Sequence, residues 1–302
     1  MATAWLQPTP GSLLHDPRAR FGFAVLIAAV LFALLAPLVA VDPSVQRDIV
    51  ATRFLAPLST DLHGTFHLLG TDRFGRDVWA RLVFGARVSL GVGFLAVLLS
   101  VAIGLAVGAA AGFWQGRPGL VLLGLTDFAL ALPRVVLLLL LASLWQPSAA
   151  LVIIVLGLTG WMTIARLVHG EVRALAARPF VESAVALGVT GPRVLVRHIL
   201  PNALTPVIVA AALGVGNAIM LEAGLSFLGL GVQPPTPSWG NLIASGRDTL
   251  VNAPWVATAP GVALVLVVVA ATLLGDAVRD QLDPSGQRGS RAAGQRGSKL
   301  PS

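Results

Sequence analysis

Val88-Ser-Leu-Gly-Val-Gly-Phe-Leu-Ala-Val-Leu-Leu-Ser-Val-Ala-Ile-Gly-Leu-Ala-Val-Gly-Ala-Ala-Ala-Gly-Phe113 runs for 26 residues without a charge. About 20 apolar helical residues, at ~1.5 Å rise each, cross the ~30 Å hydrocarbon core of a bilayer. In lipid every backbone N–H and C=O must be satisfied within the segment, so a stretch of this kind is a helix. Five more stretches of similar character lie at about 21–41, 119–143, 148–165, 203–221 and 255–274. Of the six, only 119–143 holds charges, Asp127 and Arg134. The expectation is an all-α integral membrane protein with six transmembrane helices.

Composition agrees. Of 302 residues 56% are hydrophobic and only 12% charged, with a mean hydropathy of +0.83. A soluble domain carries about 25% charged residues. The deficit excludes a disordered chain, a disulfide-stapled secreted module and an ordinary cytosolic enzyme. The absence of cysteine removes thiolate zinc sites, iron–sulfur clusters and a Cys nucleophile. Twenty of the 21 basic residues are arginine, and the one lysine, Lys299, has no P-loop around it. Energy for any driven process must therefore come from another chain or from an ion gradient.

The net charge of +7 and pI near 11.5 would suggest nucleic acid in a soluble protein. In a membrane protein arginines flank spans and set orientation, so no nucleic-acid partner is expected. Thirteen basic residues fall on the side that holds both termini and seven on the other, which puts the termini in the cytoplasm. The organisation expected is a cytoplasmic N-terminus (1–20), an uncleaved first span (21–41) and an extracytoplasmic segment (42–87). A five-span core (88–283) with a cytoplasmic loop at 169–202 follows, then a disordered basic tail (284–302) of Gly, Ser, Gln and Arg.

The loop 169–202 carries the mechanism. Phe180 to Leu187 is helical and amphipathic, with Glu182 near its start, where the helix dipole favours an acid. Gly188 stops that helix in the C′ position. Thr190-Gly-Pro-Arg193 restarts one with Thr190 as N-cap, and Pro201 closes it. Two short helices at a glycine hinge fit the groove of a cytoplasmic partner better than the wall of a pore. Small Ser183 and Ala184 would allow close approach.

Here the chain resembles the permease subunits of bacterial ATP-binding-cassette importers. Their coupling loop has the pattern Glu-Ala-Ala, three residues, Gly, then nine residues and His-x-Leu-Pro. This chain has Glu182-Ser183-Ala184, Gly188 and His198-Ile-Leu-Pro201, with Ser183 the one departure. It is most similar to the C-type subunit of dipeptide, oligopeptide and nickel importers, through Leu69-Gly-Thr-Asp-Arg-Phe-Gly-Arg-Asp-Val78, Gly85-Ala-Arg-Val-Ser-Leu90, 222–240, Ala253-Pro-Trp255 and 274–284. The likeness spans about 20 to 284. It implies a heterodimer with a second permease, two cytoplasmic ATPase subunits that bind the coupling loops, and an extracytoplasmic substrate-binding protein. It also implies that ATP and magnesium are bound by the partners, with no cofactor in this chain. The coupling residues would be Glu182, Ser183, Ala184, Gly188, His198 and Pro201. Asp72, Arg76, Asp77, Glu222 and Trp239 are the extracytoplasmic or gating candidates.

Other readings of these residues are weaker. His198 has no nucleophile or metal cluster beside it, so a structural His is favoured over a general base. His63 and His67, four apart, lack carboxylate or thiol support for a metal. Asp127 belongs at the membrane interface, with Arg134 snorkelling to it. The expected function is permeation of di- and oligopeptides in an ATP-driven importer. Nickel or another small solute is the alternative cargo. An ion-coupled secondary transporter is less consistent, because it would want acids at the midplane and repeated broken helices.

Overall fold

The computed structural model of this chain describes residues 15–46, 48–114 and 116–282. Residues 1–14 and the tail at 284–302 lie outside the described residues, so the expectations for them are not met or refuted by the fold. Helix α1 (Pro17–Leu34) begins at Asp16, whose carboxylate accepts the N–H of Arg18 at 2.8 Å. Then come α2 (Ala36–Val39), α3 (Ile49–Thr52) and a hairpin of β1 (Ser59–Thr60) and β2 (Phe66–His67), antiparallel with Ser59 opposite His67. The long α4 (Val78–Phe113) is followed by α5 (Arg117–Ala131), α6 (Arg134–Ser143) and α7 (Ala149–Ala176). A surface helix α8 (Pro179–Ala186), a turn of helix α9 (Gly191–Val194) and a π turn (Leu195–Ile199) lead into α10 (Leu200–Phe227). Helices α11 (Trp239–Arg247) and α12 (Trp255–Leu282) complete the bundle.

The spans α4, α7, α10 and α12 are each longer than the apolar stretch that announces them. The 36 residues of α4 extend about 54 Å and the 28 of α7 about 42 Å, against a hydrocarbon core of ~30 Å. Polar residues therefore ride on the ends of the spans, and 169–176, read as loop, is the last two turns of α7. Neighbouring helices pack in the order α1, α12, α10, α4, α7, with α5 and α6 outside on α4 and α7. The closest seam is between α4 and α7. Gly104, Gly108 and Gly112 present one face of α4 to α7, and a Cβ at Gly108 would lie 2.4 Å from the carbonyl oxygen of Ala165. In lipid, where apolar burial between helices gains little, this backbone approach supplies the packing energy.

Two expectations are corrected. The stretch 119–143 is not one straight span: α5 and α6 meet at 86°. Pro133 has no N–H to donate and disfavours helix at Leu132, which is extended at φ −75°, ψ 134°. Among the described residues five helices are long and apolar enough to cross a membrane, six if the bent pair counts as one. The second correction concerns Pro201. It does not close a second short helix but sits in the first turn of α10, which continues from the π turn. The wider π turn brings the N–H of Leu200 to the carbonyl of Leu195 and lets the chain run on past a residue that cannot donate.

Candidate functional site

At one end of the bundle α8 lies between α7 and α10. Pro179 opens it in the first turn, and Val181 and Ala184 are buried in one cluster with Ala109, Ile164, Val168, Val172 and Ala203. Its end is a Schellman turn: Gly188, at φ +83°, donates to Val185 O at 2.9 Å and Val189 donates to Ala184 O at 3.1 Å. The remaining face is exposed and mixed in character. Glu182 and Ser183 are exposed, the Ser183 hydroxyl donating to Pro179 O at 2.9 Å. Leu187 is 84% exposed, with Val185, Phe180 and Val196 also open. Of the predicted coupling residues, then, Glu182, Ser183 and Gly188 share the exposed rim, whereas Ala184 belongs to the anchor. Half-buried His198 lies within the π turn, its carbonyl accepting from the Asn202 amide at 2.7 Å, and Pro201 follows it.

The other end is knit by buried polar groups. Asp72 is buried in a tight turn, where its carboxylate accepts the N–H groups of Phe74 (2.8 Å) and Arg76 (3.0 Å). The Arg76 guanidinium closes a fork on it at 2.7 and 2.8 Å. Asp77 caps α4 by accepting Ala80 N–H at 2.7 Å, and its second oxygen lies 2.7 Å from His67 Nδ1. His67 is thus taken up by the turn, while His63 is exposed. Burial acts to raise the pKa of Asp61, but the N–H groups of Thr65 and His63, both at 2.8 Å, and the His67 ring outweigh it. The carboxyl is held below its ordinary 3.8.

Glu222 is fully buried in α10 with both oxygens engaged. Ser89 of α4 donates to one at 2.9 Å and Ser226 to the other at 2.7 Å. Each hydroxyl in turn accepts a backbone N–H, from Trp239 at 3.1 Å and from Val232 at 3.0 Å. The Trp239 indole donates to Leu82 O at 3.0 Å, and Ser238 and Asn241 form a capping box at the start of α11. One carboxylate therefore ties α4, α10 and the loop 228–238 to α11. Sequence reasoning named Glu222 and Trp239 but missed Ser89, Ser226 and Asn241. Glu222 and Ser89 are 133 residues apart, and nothing local marks the pair.

Within the spans, Asp127 pairs with Arg166 of α7, a partner not anticipated. Arg134 is half-buried at the α5–α6 break, beside Gly160 of α7.

Residues 100–287 match the family described as the binding-protein-dependent transport system inner membrane component. A dipeptide transport system permease protein of Alkalihalophilus pseudofirmus is 35% identical over 272 residues, covering 90% of this chain and 87% of the relative. A di/tripeptide transport system permease protein of Pseudomonas aeruginosa is 38% identical over 275 residues, 90% of each chain. A putative peptide transport system permease protein of Brucella abortus is 37% identical over 276 residues, 91% of this chain and 90% of the relative. Among solved structures, the inward-facing MetNI methionine ABC transporter superposes with a TM-score of 0.54 over 67% of this chain and 96% of that one. At 22% identity that likeness is one of fold.

Proposed function

The chain belongs to the binding-protein-dependent transport inner-membrane family, and from that premise we propose that it is one of two permease subunits of an ATP-driven importer of di- and oligopeptides. The α8 end faces the cytoplasm and receives an ATPase subunit. The far end faces outward and receives a substrate-binding protein. ATP and magnesium belong to the ATPase partners, and both termini of this chain are cytoplasmic.

The observation that carries this reading is the division of α8 into two faces. Val181 and Ala184 bind it to the bundle, while Glu182, Val185 and Leu187 are open. A short helix fixed to the spans on one side and free on the other transmits a push as a rigid body. The anchor packs on α7 and belongs to a buried cluster that continues into α4 and α10 through Ala109 and Ala203, so motion of α8 enters a core shared by three spans. The Schellman stop at Gly188 keeps α8 from merging with α9, leaving it a separate element to grip. The peptide assignment draws on what the relatives are named for.

The test is reconstitution of the assembled transporter in vesicles with its binding protein outside and ATP within. ATP-dependent uptake of a labelled dipeptide is expected. Binding-protein-stimulated ATP turnover without peptide uptake would leave the importer reading and remove the peptide one.

A further inference from the structure

Arg81, in the first turns of α4, is 1% exposed, and its Nε and Nη1 have no hydrogen-bond partner among the described residues. The near carboxylate, Asp72, is 3.9 Å from Nε and is already taken by Arg76 and by two backbone N–H groups. Arg73 and Arg76 both approach the Phe74 ring, their guanidinium carbons 4.7 and 4.6 Å from its centre. Arg76 and Arg81 thus share one carboxylate, and Arg73 adds a third positive charge beside them. They line a cavity of about 330 Å³ at the far end of the bundle, walled also by Pro234, Pro235 and Asn241. The Asn241 amide is committed to Val232 O and Thr236 O and the Ser245 hydroxyl to Leu242 O, so the donors facing this cavity are the guanidinium N–H groups and the amide of Gln46 at its edge.

A buried guanidinium with spare donors is costly unless an anion meets it. Its planar fork matches a carboxylate, and the N-terminal end of α4 adds positive potential. A cavity of this size accepts a small organic acid and is too small for a folded domain. We infer that this is an anion subsite in which Arg81, with Arg76 and Arg73, binds the free carboxylate of the transported solute. The inference rests on the importer reading for its source of carboxylate. It adds a chemical requirement: the cargo carries an unblocked acid group.

The test uses the assembled transporter in lipid nanodiscs without its binding protein, with acetate, Ala-Ala and Ala-Ala amide as probes and melting temperature as the readout. Acetate and Ala-Ala should raise the melting temperature and the amide should not. Arg81→Gln should weaken the acid response at least about tenfold in apparent affinity. Without ligand that variant should melt no lower than the parent, since it removes a buried charge whose donors lack hydrogen bonds. If Arg81→Gln does not assemble, exposed Arg73→Gln is read in its place, and a weaker acid response supports the subsite. Equal responses to acid and amide, or acid responses indifferent to both substitutions, would overturn it. The two readings separate cleanly. An Arg81-dependent acetate response without peptide uptake upholds the pocket and removes the peptide cargo. Peptide uptake without any acid response sinks the pocket alone.

Discussion

The two ends of the bundle are built on opposite principles. At the α8 end contacts are apolar and one-sided: Val181 and Ala184 are buried, and Leu187 and Glu182 next to them are open. At the far end, Arg81 apart, buried carboxylates are each satisfied by several donors, as Glu222 is by Ser89 and Ser226 and Asp72 is by Arg76 and two backbone N–H groups. A surface of the first kind can gain and lose a partner without unfolding. A network of the second kind holds its geometry, because breaking any link strands a buried polar group. Substitutions of these satisfied far-end groups should thus cost stability, and those on the open face of α8 should cost association.

The largest effect is expected where the two ends are joined. Gly108→Leu would force a side chain into the Ala165 backbone, 2.4 Å from the Cβ position, and should abolish assembly of the bundle. Size-exclusion profiles in detergent would show it, and a monodisperse variant would contradict the α4–α7 seam. Next is Glu222→Ala, which strands the hydroxyls of Ser89 and Ser226 and should cost about 3 kcal/mol. Thermal unfolding would register this, with Glu222→Gln falling between. Gly188→Ala places a Cβ at φ +83° for about 1 kcal/mol, and should reduce ATP turnover more than melting temperature.

The smallest effect is a pH dependence confined to the hairpin 59–67. Asp61 is held below 3.8 in the folded chain, so it stabilises the hairpin above that value. That contribution should fade as pH falls through the lower folded pKa. Amide exchange at Thr65, corrected for its intrinsic rate, should rise below about pH 4, and a flat profile would remove the role of Asp61.

How much of this was legible in the sequence follows from what each signal depends on. The spans were readable because solvation in lipid acts on every residue of a long stretch, as in 88–113. The α8 helix and its stop were readable because Gly188 and Pro179 act locally, on their own φ angles. The break at Pro133 was overlooked because hydropathy treats a proline in an apolar run as one more apolar residue. The π turn at Leu195–Ile199 leaves no residue signature at all, so Pro201 was read as an end when it is a beginning. At the far end Asp72, Arg76, Asp77 and Glu222 were legible only through the motifs that carry the family resemblance, 69–78 and 222–240. That Asp72 and Asp77 shape a turn and a cap, and that Glu222 is tied to Ser89, depends on contacts made only by the folded bundle.

The central claim is that α8 is a docking surface whose open face is dispensable to the fold. Leu187→Asp tests it most directly, because Leu187 is 84% exposed and contributes little to packing. Melting temperature and the amount of ATPase subunit that co-purifies should be measured on the same preparation. The account predicts an unchanged melting temperature with ATPase recovery down at least about tenfold. Full ATPase recovery and undiminished ATP turnover from that variant would contradict it.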